Sequence, residues 1–315
     1  MKWEPISAGE ASESKGPIKL MGKLILNPGN HVYQNTMPST LMESSNAQAG
    51  FAASGSTPSS SMSPGSMSSS DPQASANQKL ALVIPTLREA ENIAGVIDHV
   101  RSVLDLHGIP YEILVVDDDS PDGTGEIVSA IALQDPRVRL VVRKGAKGVA
   151  GATLLGWQST DAPILGVMDA DLQHPPELLP ALYAAILAGT DLVIGSRYVK
   201  GGSVGDWNLP RKLVSLGALW AAWPIQRSGI RAKDPTSGFF MLRRECLAQT
   251  RFQTSGFKLL LDILVRGRVR SVSEVPITFR SRYHGVSKAT VKVACEYALL
   301  LARLYASRLS FQPRA

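Results

Sequence analysis

Residues 166–173 read GVMDADLQ, and they close an apolar run, Ile164-Leu165-Gly166-Val167-Met168, that stops abruptly at Asp169-Ala170-Asp171. A short apolar run bounded by Pro163 and by acids fits a strand buried on both faces. If the chain stays extended, two carboxylates one residue apart point the same way. Both then face the crevice beyond the strand's carboxyl end, where open α/β sheets bind ligands. Paired there, they make a hard oxygen site for Mg²⁺ or Mn²⁺, which takes one or two carboxylates and fills its shell with phosphate and water. An isolated Asp-x-Asp is more often a pair of solvated turn aspartates. The surroundings have to decide.

Upstream, residues 80–85 (LALVIP) predict a strand, and residues 89–103 a helix with Ile93, Val96, Ile97, Val100 and Leu104 on one face. Residues 111–116 (YEILVV) predict a second strand, which breaks into DDDSPDGT, a run of turn formers. A helix follows through Ile127, Ile131 and Leu133, then a strand at 138–143, a Gly-rich segment at 144–151 and a helix near 152–158. Downstream lie a helix at 176–187, with Pro and Glu at its start, and a strand at 191–194 that runs into Gly195-Ser196-Arg197-Tyr198. Strands alternating with helices in this way mean βαβ units and a mostly parallel sheet with helices on both faces. The second half is less periodic. It predicts a loop at 199–210, an apolar helix at 211–223 with a basic start, strands at 237–242 and 272–280, and helices at 257–266 and 287–309. The last helix is amphipathic, with Val291, Ala294, Tyr297, Ala298, Leu301, Leu304 and Tyr305 on its apolar face.

The first 77 residues read differently. Residues 37–76 are rich in Ser, Pro, Gly, Ala and Met and nearly free of charge, a composition that cannot bury enough apolar surface to fold. Residues 1–77 are therefore expected to be a disordered tail, and residues 78–315 a single folded domain. No signal peptide or membrane-spanning helix is expected. The chain carries +6; the tail's four lysines against five acids give −1, so the remainder carries +7. A basic domain suits anionic partners such as phosphates or an acidic membrane surface. The cysteines Cys246 and Cys295 have no metal spacing and point to a reducing compartment.

Three acidic sites follow strand ends: Glu89, Asp117-Asp118-Asp119, and Asp169 with Asp171. In a parallel sheet those ends share one edge, so the acids converge. Arg197, Arg211, Arg282 and Lys288 are bases that could join them. Paired acids, a metal and several bases suit a nucleotide diphosphate, with the metal neutralising leaving-group charge. The chain has no Walker A loop, no GxGxxG and no GxSxG elbow. His107, His174 and His284 lack metal-ligand spacing, and His174 reads as a residue behind the acids or on the surface. No stacking-aromatic or helix-turn-helix pattern accompanies the positive charge, which argues against nucleic acid.

Seven segments in order, LVIPTLREAENI, ILVVDDDSPDGT, VMDADLQHPPE, GSRY, DPTSGFFMLRRE, GFKLLLDILVR and VPITFRSRYHGVSK, resemble glycosyltransferase family 2, and within it the dolichyl-phosphate (polyprenyl-phosphate) mannosyltransferases. The resemblance spans residues 78–309 and leaves out the tail. It implies a GT-A fold, a GDP-mannose donor, a polyprenyl-phosphate lipid acceptor, and inverting, metal-dependent transfer. By motif match it implies that Pro85, Leu87, Glu89, Val116 and Asp118 line the nucleotide site. Asp169, the Ala170 carbonyl, Asp171 and Gln173 would hold Mg²⁺ or Mn²⁺ and the diphosphate. Arg197 would meet the diphosphate or the acceptor phosphate, Arg282 and Lys288 would close over the donor phosphates, and Arg211 and Ser215 would receive the lipid phosphate. The segment KGVAGA is a loose version of the family's pattern, and Asp119 stands where many members carry Gly or Asn.

Two other readings share the motifs: a UDP-glucose or other hexose transferase acting on the same lipid or on a polysaccharide, and a non-catalytic nucleotide-sugar-binding subunit. The retained acids and Arg197, Arg282 and Lys288 weigh against the latter. Reaching a lipid without a spanning helix implies a peripheral protein at the cytoplasmic face of a membrane. The helices at 211–223 and 287–309 are the interfacial candidates. Each Lys or Arg near an anionic bilayer contributes ~1 kcal/mol, so about four give only millimolar binding. The lipid chain or a membrane-anchoring partner would have to add the rest.

Overall fold

Along β1 (Leu80–Thr86) every residue is buried, but alternate residues go to different cores. Leu80, Leu82 and Ile84 join one cluster; Ala81 and Val83 join the other. The same split runs through β2 (Tyr111–Asp117), where Tyr111, Ile113 and Val115 oppose Leu114 and Val116. A period of two with both phases apolar is the signature of a central strand covered on both faces. The protein's structure is a computed structural model. It describes residues 78–310 apart from 146, 206, 208, 249, 251, 253–257 and 280–290.

Among the described residues seven strands form one sheet in the order β3-β2-β1-β4-β6-β5-β7, with β3 Val138–Val142, β4 Ile164–Val167, β5 Leu192–Ser196, β6 Phe240–Arg243 and β7 Val272–Pro276. Only β6 is reversed: it pairs antiparallel with β4 and β5, while the remaining pairs are parallel. One face is covered by α1 (Ile93–Leu106), α2 (Thr124–Gln134) and α4 (Leu179–Leu187). The other is covered by α3 (Val149–Gln158) and α6 (Leu259–Arg266). The helices α5 (Leu209–Ala222) and α7 (Val291–Ser310) meet in a smaller cluster in which Leu304 packs with Ala222, Ile225 and Leu261. The mixed α/β sheet with helices on both faces is the expected architecture.

Several boundaries shift for local reasons. The first helix starts at Ile93, not Glu89. Arg88 takes a positive φ of 60°, and Glu89 closes a turn through its carbonyl to the N–H groups of Asn92 and Ile93. Leu133, expected on a buried face, is exposed, because α2 covers the sheet at its β3 edge and reaches the core through Val128, with Ile127 and Ile131 partly buried against it. The strand expected at 237–242 begins only at Phe240, because Ser237 is spent on a turn, bonding Asp234 through its N–H and the Gly195 carbonyl through its hydroxyl. Cys246 is buried, but Cys295 is exposed on α7.

Candidate active site

The carboxyl ends of β1, β2 and β4 open into one pocket, lined by Pro85, Thr86, Leu87, Glu89, Asp118, Gly148, Val149, Asp169, Ala170 and Asp171. Its walls are tied together by side chains of the β2–α2 turn. Ser120 Oγ accepts the Arg88 N–H at 2.9 Å, Thr124 Oγ1 accepts the Glu89 N–H at 3.0 Å, and Asp122 accepts the Ala90 N–H at 3.1 Å. Asp117 is consumed in the same structure, accepting from Thr86 Oγ1 and from both the N–H and hydroxyl of Ser120. Of the three adjacent aspartates, then, one is a turn residue. Asp119 is exposed with φ 54°. Asp118 alone faces the pocket.

Asp118 is not free to act alone. Arg143 forks onto it, with Nε and Nη2 at 2.7 and 2.8 Å, and the Gly148 N–H adds a third bond at 2.7 Å. Arg143 Nη2 also donates to the Gly148 carbonyl. The carboxylate therefore fixes the Gly-rich segment against the pocket, which gives the loosely matched KGVAGA a structural role. Gly151 leaves room for this fork: a Cβ there would lie 2.3 Å from Arg143 Nη1. Val116 is placed differently from the other residues expected around the nucleotide. Its side chain is fully buried under α3, in the core and away from the pocket.

At the far wall, β4 ends at Val167, and Ala170 and Asp171 lie in a turn in which Leu172 takes φ 56°. The two carboxylates thus share the pocket through a turn, rather than through the alternation of an extended strand. Asp169 is 38 % exposed. Asp171 is nearly buried and accepts the Gln173 N–H at 3.2 Å. Gln173 is buried beside it. His174 lies behind Asp169 and is buried, not on the surface. Its ring stacks on Phe239 at 5.3 Å, and burial pushes its imidazole down to about 4. Its Nδ1 accepts the Asp169 N–H, so the 3.7 Å approach to the Asp169 carboxylate is not an ion pair. Two carboxylates, a carbonyl and an amide oxygen are a donor set that Mg²⁺ or Mn²⁺ accepts. Among the described residues no third acid or histidine joins them, which suits a cation that takes the rest of its shell from phosphate and water.

Beyond Asp169 the sheet carries a group of cations. Arg197, at the end of β5, is forked by Asp234, with Nε and Nη2 at 2.7 and 2.8 Å, and its own N–H also donates to Asp234. Thr236 Oγ1 takes a further bond from Nη2. Burial opposes the Asp234 charge, but the Arg197 hydrogen bonds outweigh it and hold the carboxyl below its usual range. The rings of Tyr198, Trp207 and Phe279 each lie 5.5 Å from the guanidinium. Trp207 is also covered by Arg211 at 4.0 Å, and the Tyr198 hydroxyl bonds Ser215 at 2.8 Å. Arg197, Arg211 and Ser215 are thus gathered round two aromatic rings. Arg282 and Lys288 lie outside the described residues.

A glycosyl transferase family 2 profile matches residues 81–251 of the chain. The chain belongs to glycosyl transferase family 2. Among its relatives in this family is a dolichol-phosphate mannosyltransferase of Pyrococcus furiosus, 43% identical over 227 residues. That match covers 72% of this chain but 63% of the relative, so the chain spans under two thirds of that protein's length. A dolichol-phosphate mannosyltransferase of Mycosarcoma maydis is 35% identical, covering 76% of this chain and 83% of the relative. A polyprenol monophosphomannose synthase of Mycolicibacterium smegmatis is 38% identical, covering 67% and 81%. Among solved structures, mannosyl-3-phosphoglycerate synthase from Rubrobacter xylanophilus superposes with a TM-score of 0.55 at 18% identity, covering 76% of this chain and 77% of that one. Glucosyl-3-phosphoglycerate synthase from Mycobacterium tuberculosis, crystallised with Mn²⁺, UDP-glucose and phosphoglyceric acid, superposes at 0.55 with 22% identity, covering 80% and 87%. These likenesses establish the GT-A fold of this family 2 member.

Four residues that brace the candidate site were not singled out from the sequence. Asp234 and Thr236 hold Arg197, Arg143 holds Asp118, and Lys258 lies beside the Arg197–Asp234 pair. Asp234, Thr236 and Lys258 stand within segments that carry the resemblance, DPTSGFFMLRRE and GFKLLLDILVR. The available signal was an acid, or a base, set against an apolar run with no helical or strand phase to explain it.

Proposed function

We propose that this family 2 enzyme transfers mannose from GDP-mannose to a polyprenyl phosphate of dolichyl type, with inversion at the anomeric carbon. The carrying observation is that relatives from several organisms are named dolichol-phosphate mannosyltransferase or polyprenol monophosphomannose synthase and match between 62% and 76% of this chain. The geometry supports the same chemistry. Pro85, Leu87, Glu89 and Asp118 form the nucleotide wall, and Asp169, Asp171, Gln173 and the Ala170 carbonyl would hold a divalent cation. That cation would neutralise charge on the departing diphosphate. Arg197 and Arg211 take the acceptor side.

The acceptor phosphate is already anionic, so no strong general base is needed. One of its oxygens attacks the anomeric carbon from the face opposite the nucleotide. A new carbon–oxygen bond forms as the bond to the β-phosphate oxygen breaks, and the electron pair leaves with the nucleoside diphosphate. Arg197 lowers the repulsion between the two anions and aligns the attack, as positioned charges do in a site that excludes water.

Access to the lipid is supported by α5. Leu209, Leu213, Val214 and Trp220 of that helix are 60–82 % exposed, beside the exposed Arg211 and Lys212. An apolar face flanked by bases is the pattern of a helix lying in a bilayer surface. The other interfacial candidate, α7, spends part of its apolar face on the protein: Leu304 is buried, and Tyr297 and Tyr305 donate to the carbonyls of Ala218 and Ala221 on α5. Among the described residues no helix is long and apolar enough to cross a membrane.

The test is a panel of GDP- and UDP-sugars with polyprenyl phosphate and Mn²⁺, scored as sugar in the lipid phase. GDP-mannose should label the lipid, chelation should abolish transfer, and Mn²⁺ or Mg²⁺ should restore it. Asp169→Ala and Asp171→Ala should each lower turnover by at least ~100-fold. Transfer from UDP-glucose alone would replace the mannose reading, and nucleotide binding without turnover would favour a non-catalytic subunit.

A further inference from the structure

Lys258 is held in place at a cost. It is the residue before the first turn of α6. A cation at the amino end of a helix opposes the helix dipole. Its ammonium group is largely enclosed, and burial pushes it down to about 8, with Arg197 adding repulsion. Against those costs, among the described residues, it makes one long hydrogen bond, 3.4 Å to the Thr236 carbonyl. An ammonium has three donors to satisfy.

Thr236 places this lysine beside Arg197. Its carbonyl receives Lys258 Nζ, and its hydroxyl receives Arg197 Nη2. Asp234 already claims the Nε and Nη2 edge of Arg197. Among the described residues, Arg197 Nη1 donates to nothing. The Arg197–Asp234 pair is close to neutral as a unit, so among the described residues Lys258 brings a further positive charge to this cluster. The same strip of chain reaches the candidate metal site: two residues on, a Cβ at Gly238 would lie 3.2 Å from Asp169 Oδ2. The Asp169 charge also bears on Lys258.

We infer that Lys258 is a phosphate ligand, its Nζ and the open Nη1 edge of Arg197 receiving the oxygens of one phosphate group next to Asp169. This rests on the transferase reading above. The shared chemistry is an anionic phosphate, supplied either by the donor's diphosphate or by the acceptor lipid. A phosphate there would satisfy the idle donors and offset the burial of the charge.

Calorimetry on the full chain separates the two sources. The probes are GDP with Mn²⁺ and a short-chain polyprenyl phosphate, titrated into wild type, K258M and K258R. Weakening of GDP binding by about tenfold or more in K258M assigns the donor phosphate. The same loss for polyprenyl phosphate, with GDP binding within twofold, assigns the acceptor. In either case K258R should recover most of the loss. K258M should also melt no lower than wild type, since it removes a buried charge that makes only one long hydrogen bond. Unchanged affinity for both probes in K258M overturns the inference, and so does a lower melting temperature of K258M. Binding is read without turnover, so wild type that binds the probes but transfers no mannose refutes the proposed reaction and leaves the Lys258 test standing.

Discussion

A methyl group on Gly238 would sit 3.2 Å from Asp169 Oδ2 and 3.4 Å from His174 Cε1. The first approach is tighter than ordinary packing, and the second is at the near edge of ordinary contact. The two neighbours differ in what they can yield. His174 is fixed between Phe239 and Phe279, whereas Asp169 is partly exposed, so the carboxylate is the neighbour on the solvent side. Gly238→Ala should therefore move the carboxylate and leave the fold intact. Displacing a metal ligand through its neighbour costs roughly tenfold or more in metal affinity. A Mn²⁺ titration of transfer should show that rise in the concentration for half-maximal activity, and an unchanged titration would show that Asp169 is not a ligand.

At the scale of elements, α5 and α7 divide the work that either could have done. The aromatic hydroxyls of α7 are spent on α5 carbonyls, and its Leu304 is buried. The outer face of α5 is left with Trp220, 82 % exposed, and Val214, 72 % exposed. Exposed tryptophan beside bases is costly in water and favourable at a bilayer interface. Trp220→Glu should reduce flotation with anionic liposomes by roughly tenfold and raise KM for polyprenyl phosphate presented in vesicles. A short-chain acceptor in detergent should be used as before. Equal loss with both acceptors would place Trp220 in the site rather than at the membrane.

For the whole molecule, acid stability follows from carboxylates held by arginines across elements. Arg137 forks onto Asp135 with Nε and Nη2 at 3.0 and 2.9 Å and reaches Asp105 at 2.6 Å, joining the ends of α1 and α2 to the start of β3. Those bonds hold the Asp135 carboxyl down to about 2. A carboxyl depressed in the folded state stabilises above its unfolded pKa of about 4, and that contribution is lost as pH falls through the folded value. The melting temperature should therefore drop between about pH 4 and pH 2. Asp135→Asn should melt lower than wild type at pH 6 and lose less of its melting temperature over the acid range. Parallel curves for the two proteins would remove Asp135 from the account.

The sequence by itself determined the parallel half of the sheet and one wall of the site. Strands β1, β2 and β4 are continuous apolar runs whose two faces are both covered, and turn formers mark where each ends, so the acids that follow had to meet at one edge. These are short-range signals, legible wherever the period is unbroken. They could not separate three adjacent aspartates, of which Asp117 is spent in a turn, Asp119 is exposed and Asp118 faces the pocket. Nor could they show that Val116 is core, or that Asp169 and Asp171 meet through a turn. The tertiary structure alone decided the other wall. Strand β6 enters antiparallel between β4 and β5, and it carries the loop that begins at Asp234 into position beside Arg197 and Asp169. Asp234 is 37 residues from Arg197, and Lys258 lies another 24 residues along. No local pattern records a separation of that size, because the pairing is selected by the burial of charge in the folded core and not by anything the chain does along its length.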